Sequence, residues 1–154
     1  MVEDLPYDRE GRPFPTLYWA TCPALVAAIG RLEGGGGVRR QAADAAADPV
    51  LRDSLAAATR YERRRRRELV RRYGLPMADG GASLRTGIAG VGVSAVAERD
   101  PAPNLKCLHA HAAHALARPG YALGERVLAE AAPLWGDSQC CSPGTRAASG
   151  ESPS

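Results

Sequence analysis

Helix breakers divide this chain at wide intervals, and the segments between them decide its fold class. The dividers are Gly34-Gly35-Gly36-Gly37, Asp48-Pro49, Gly74 with Pro76, and Pro119-Gly120. Glycine loses the most backbone freedom in a helix, and proline lacks a donor, so each marks an end or a restart. Between the dividers, apolar residues recur mainly at helical spacing. Leu25, Val26, Ile29 and Leu32 make one stripe behind a Thr21 cap and a first-turn Pro23. A weaker, alanine-rich stretch follows from about Val38 to Ala47. Asp48 and Pro49 then restart a third helix that runs to Tyr73 on a stripe of Leu51, Leu55, Ala58 and Leu69. Asn104 caps a fourth helix, and Leu123, Val127 and Leu128 mark a fifth, near Leu123 to Leu134. The expected architecture is mainly α, a single compact helical domain of about five helices.

The remaining stretches resist that pattern. Pro6, Pro13 and Pro15 deny residues 1–20 a helix, yet Phe14, Leu17, Tyr18 and Trp19 must pack somewhere. An irregular apolar arm lying on the core is expected there. Glycines dissolve the periodicity from Met77 to Pro103 and leave room for a minor strand pair around 86–96. The helical domain is expected over 21–135, with a Ser/Gly/Pro-rich, disordered tail over 136–154. Aromatics make up only 5% of a chain that is 45% hydrophobic, so its core must be built from small residues on closely packed helices.

No apolar run approaches the roughly 20 residues that span a bilayer. The N-terminal Met1-Val-Glu-Asp-Leu-Pro also lacks the basic and apolar regions of a signal peptide. A cytoplasmic location is expected, where Cys22, Cys107, Cys140 and Cys141 would be thiols or metal ligands rather than disulfides.

The chemistry concentrates in one place. All three histidines fall within Cys107-Leu108-His109-Ala110-His111-Ala112-Ala113-His114. Thiolate and imidazole are the side chains that best hold borderline metals. On an ideal helix Cys107, His111 and His114 lie within roughly 60° of one another. His109 points about 200° from Cys107 unless the first turn is opened. Cys22 also sits at a predicted helix start, where unpaired N–H groups stabilise a thiolate. Two such thiols and two imidazoles would complete a Cys2His2 zinc set. Two other readings stand beside it: cysteines as small apolar fillers with solvated histidines, and a Cys/His nucleophile pair.

Charge is uneven as well. Residues 34–76 carry eleven arginines against five acids, and Arg63 to Arg67 are consecutive. Arg63, Arg64, Arg66 and Arg67 are the candidate phosphate contacts. A run of five, however, sweeps the helix circumference and specifies no single ridge. The pairs Glu62 with Arg66 and Glu68 with Arg72 suit a solvated helix end, which the sequence favours over a nucleic-acid surface.

Three segments together resemble the bacterial domain of unknown function 501 family. They are Phe14-Pro15-Thr16-Leu17-Tyr18-Trp19-Ala20-Thr21-Cys22-Pro23 with Leu25 to Glu33, then Lys106-Cys107-Leu108-His109 with Ala113-His114-Ala115-Leu116-Ala117, and Gly120 to Leu128. The resemblance runs from about Pro13 to Trp135. It implies Cys22, Cys107, His109 and His114 as the metal set, with an apolar residue more usual where His111, the alternate ligand, stands. Family members usually begin with a further segment containing cysteine and Gly-x-Pro. The family has no assigned activity. Its genes often lie near those of a septum-formation initiator and an exopolyphosphatase, which points to a protein partner in cell division. The leading functional expectation is therefore a zinc-stabilised interaction module. The alternatives are a small hydrolase using a Cys/His or metal-water site, and nucleic-acid binding through the Arg60 to Arg72 helix.

Overall fold

Helix boundaries fall where the breakers stand. The computed structural model describes residues 1–85, 87–88 and 105–135. Helix α1 spans Pro23–Gly34, α2 Gly37–Ala47 and α3 Pro49–Tyr73. A 3-10 turn at Ala82–Arg85 follows, then α4 at Leu108–Ala117 and α5 at Ala122–Trp135. Asp48 ends α2 in extended conformation and caps α3, its carboxylate accepting from Val50 N at 2.8 Å. Gly74 closes α3 in the left-handed region at φ 59° and donates to the Val70 carbonyl. The chain is mainly helical, with five helices among the described residues.

Two starts differ from expectation. Cys22, not Thr21, is the N-cap of α1; the Thr21 hydroxyl instead accepts from the N-terminal ammonium at 2.8 Å. Helix α4 begins at Leu108 with Cys107 as its N-cap, and Asn104 lies outside the described residues. The expected strand pair around 86–96 and the tail over 136–154 also lie outside them, apart from Gly87 and Ile88. Among the described residues a small sheet lies in the N-terminal arm. Strand β1 (Val2–Glu3) pairs antiparallel with β2 (Tyr18–Trp19), in register Val2 with Trp19 and Glu3 with Tyr18.

Small residues let the helices approach, as the composition demands. A Cβ on Gly124 of α5 would stand 2.4 Å from the His111 carbonyl oxygen of α4 and 2.8 Å from the Ala115 Cβ. Leu25, Ala28 and Ile29 of α1 meet Leu108 and Ala112 of α4 and Val127 and Ala131 of α5 in one apolar cluster. Leu51, Leu55 and Ala58 of α3 join Ala45 of α2, Tyr121 and Leu123 in a second. The turn between α1 and α2 is equally tight, since a Cβ on Gly37 would come within 3.0 Å of Leu108 Cδ1. That packing sets the start of α4 beside the end of α1.

The arm is fastened by charged donors rather than by its apolar residues alone. Arg66 of α3 is fully buried and donates to the carbonyls of Phe14, at 2.9 Å, and Pro15. Lys106 Nζ reaches the same Pro15 carbonyl at 2.5 Å. Arg65 grips Glu3 with two parallel bonds of 2.8 and 2.7 Å. Leu17 and Tyr18 then bury against Leu69 and Ala113.

Candidate metal centre

Glu33 is the only acid on α1 and stands in its last turn, where the helix dipole disfavours negative charge. Its compensation comes from another helix. Glu33 Oε1 accepts from Leu108 N at 2.5 Å, so the carboxylate caps the start of α4 in place of a local side chain. Both helix ends therefore converge on one carboxylate, whose second oxygen takes no part in the cap.

His109, in the first turn of α4, meets that second oxygen, with Nδ1 lying 3.3 Å from Glu33 Oε2. The other ring nitrogen, Nε2, sits 3.0 Å from the Val26 carbonyl. A carbonyl only accepts, so the Nε2 position carries the proton. Nδ1 and Oε2 then face each other as two lone-pair atoms, a contact that calls for a proton or a cation between them. Zinc bonds of about 2.0–2.1 Å at tetrahedral angles put neighbouring N and O donors roughly 3.3 Å apart, which is the spacing found. Orientation of a ligand histidine by a backbone carbonyl on its far nitrogen is the usual outer support of such sites.

Cys107 completes the group. One donor atom from each of Glu33, Cys107 and His109 lies within 4.8 Å of the others, and these three are the only such His/Cys/Asp/Glu group among the described residues. Cys107 is exposed, whereas Glu33 and His109 are partly covered, with side chains 24% and 25% exposed. The later start of α4 removes the helical-wheel objection to His109: Cys107 is the extended cap residue, at φ −56° and ψ 148°, not part of the helix.

The other expected ligands are not members of this group. His114 is buried and turns Nδ1 to Glu62 Oε1 of α3 at 3.1 Å. Its ring is met edge-on by Tyr18, Tyr61 and Tyr121, at centroid distances of 5.6, 5.8 and 5.0 Å. His111, the alternate ligand, is fully buried with Nδ1 2.7 Å from the Tyr121 hydroxyl. Burial, helped by His114 and the Lys106 ammonium, pushes His111 down to about 3, and burial likewise pushes the Tyr121 hydroxyl up. Cys22 caps α1, half-buried against the α1–α5 apolar cluster, and forms no disulfide. Glu33 is the residue that sequence reasoning missed.

The arginine run separates by facing. Arg66 is inside on the arm carbonyls, and burial lowers its proton affinity. Arg65 is held by Glu3, while Arg64 lies over the Tyr61 ring and 3.8 Å from Glu68. Arg67 is exposed and Arg63 partly covered. Glu62 and Arg66 thus take separate partners instead of closing the expected i,i+4 pair.

No helix among the described residues is long and apolar enough to cross a membrane. The family model described as "Protein of unknown function (DUF501)" matches residues 2–129. No curated protein and no solved structure matches the chain.

Proposed function

The chain belongs to the domain of unknown function 501 family, and from that premise we propose that it is a metal-stabilised helical module holding zinc on Glu33, Cys107 and His109. The facing of His109 Nδ1 and Glu33 Oε2 at 3.3 Å, with the ring's far nitrogen committed to Val26, carries the reading. Donor chemistry supports it, since thiolate, imidazole and carboxylate together suit zinc better than magnesium or calcium. The metal would tie the end of α1 to the start of α4, two points 74 residues apart in sequence (Glu33 and Cys107). Glu33 would bind through Oε2 alone, because Oε1 is engaged by Leu108 N.

We take the module's role to be protein interaction, in the cell-division setting that the family resemblance suggests. Phe14 and Trp19, edge to face at 6.2 Å and each about two-fifths exposed, give the arm an apolar surface for it. Elemental analysis of protein purified without a histidine tag tests the metal reading. Close to one equivalent of zinc is expected, falling below about a tenth in Cys107→Ser and His109→Ala and persisting in His114→Phe. Less than half an equivalent in the unaltered protein, unchanged by Cys107→Ser, overturns it.

A further inference from the structure

Helix α3 carries a second feature, independent of the metal centre. At about 100° per residue, Arg60, Arg64, Arg67 and Arg71 fall within roughly 60° of one another on the helix surface. All four are exposed. Two residues of the run are engaged elsewhere: Arg66 is buried under the arm, and the partly exposed Arg65 is bound to Glu3. Arg60, Arg64, Arg67 and Arg71 form one outward ridge, about 16 Å long at 1.5 Å per residue, with the exposed Arg72 off its line. Arg118 of the α4 terminus widens it, its guanidinium 4.7 Å from the centroid of the Tyr61 ring, which Arg64 also covers at 5.7 Å. Glu68 is the neighbouring acid, and it is shared between Arg64, at 3.8 Å, and Arg65, at 3.6 Å.

We propose that this ridge is a docking surface for the phosphodiester backbone of duplex nucleic acid, read without regard to sequence. Charge complementarity and spacing argue for that partner. One strand of a duplex carries a phosphate about every 3.4 Å along the axis, so a ridge of this length faces about five of them. The cations are all arginine, whose planar fork matches phosphate oxygens two at a time, where lysine offers a point charge. A single-stranded partner would want free aromatic platforms, and the ring on this flank, Tyr61, is already engaged by two guanidiniums and by a T-shaped contact with His114.

Fluorescence anisotropy of the full chain on a random-sequence 24-base-pair DNA duplex, titrated from 50 to 200 mM salt, tests the proposal. Four phosphate contacts give a log–log slope near −3.6, or about 150-fold weaker binding across that range. The quadruple variant Arg60→Gln, Arg64→Gln, Arg67→Gln, Arg71→Gln should flatten the slope to near zero. The pair Arg60→Gln, Arg67→Gln should halve it and serves if the quadruple variant loses helicity. A charge-matched control, Arg9→Gln, Arg12→Gln, Arg39→Gln, Arg40→Gln, should keep most of the slope. The proposal is overturned if the control loses as much as the ridge variant or if no duplex binds at 50 mM salt. Tighter binding to poly-glutamate than to duplex overturns it too, and would mark a protein partner instead.

Discussion

His114 and Glu62 meet at 3.1 Å where neither side chain is more than 4% exposed. The pair bridges α4 and α3, with Tyr18 of the arm set on the same imidazole at 5.6 Å. Arg66 and Lys106 both feel the Glu62 charge, so this carboxylate offsets the cations that hold the arm. Glu62→Leu would leave the buried Arg66 without that offsetting charge and the buried His114 ring without its partner. Breaking a buried pair from one side costs roughly 3–5 kcal/mol. Urea denaturation followed by circular dichroism should show a loss of that order, and a loss below about 1 kcal/mol would mean that the pair is dispensable.

Arg66→Met tests the arm directly. The substitution removes the donors to the Phe14 and Pro15 carbonyls while keeping most of the side-chain volume. The expected result is selective exposure of the N-terminal arm: limited proteolysis should cut within residues 4–16 at least ten times faster, with the helical signal largely retained. Arg67→Met, one residue on and exposed, should leave the cleavage rate unchanged.

How much of this was legible in the sequence depends on the kind of signal. Helix ends written in glycine and proline were readable because those residues act through their own backbone. The α4 start was not, since the cap that fixes it, Glu33, arrives from another helix. A hint existed: an acid in the last turn of α1 opposes the helix dipole and so has no local reason to be there. Cys107 and His109 were legible as donors by residue type, but their grouping needed the unwound cap position. The arginine run misled for a related reason. Wheel geometry shows where five guanidiniums point but not that the arm's carbonyls and Glu3 draw two of them out of the count.

Acid should loosen the arm through Glu3. Hydrogen bonding to Arg65 holds its carboxyl below the ordinary value of 4.5 against an opposing effect of burial. With the folded value depressed, the stabilisation is fully present above the unfolded value and is lost as pH falls through the folded one. The window lies below about pH 4.5. Both partners are about 30% exposed, so the contribution is at most about 1 kcal/mol. In Glu3→Gln the difference in stability from the unaltered protein should be present at pH 7 and shrink as pH falls below about 4.5. A difference that persists undiminished at pH 3 would assign the effect to packing.

Gly124→Ala probes the closeness of α4 and α5 on which the position of α4 depends. The added methyl would stand 2.4 Å from the His111 carbonyl oxygen and 2.6 Å from Tyr121 Cδ1, one backbone atom and one ring atom hemmed in by packing. Neither can swing aside without moving α4 or disturbing the 2.7 Å contact of Tyr121 with His111. Overpacking of this kind costs roughly 1–3 kcal/mol, more than the gain of up to about 1 kcal/mol that alanine brings to a helix interior. A net loss of stability is therefore expected, with broadened NMR signals at His111 and Tyr121. Alanine at Gly30, whose Cβ would meet nothing within 4 Å, is the control and should stabilise α1. Equal gains from both substitutions would show that α4 and α5 stand farther apart than this.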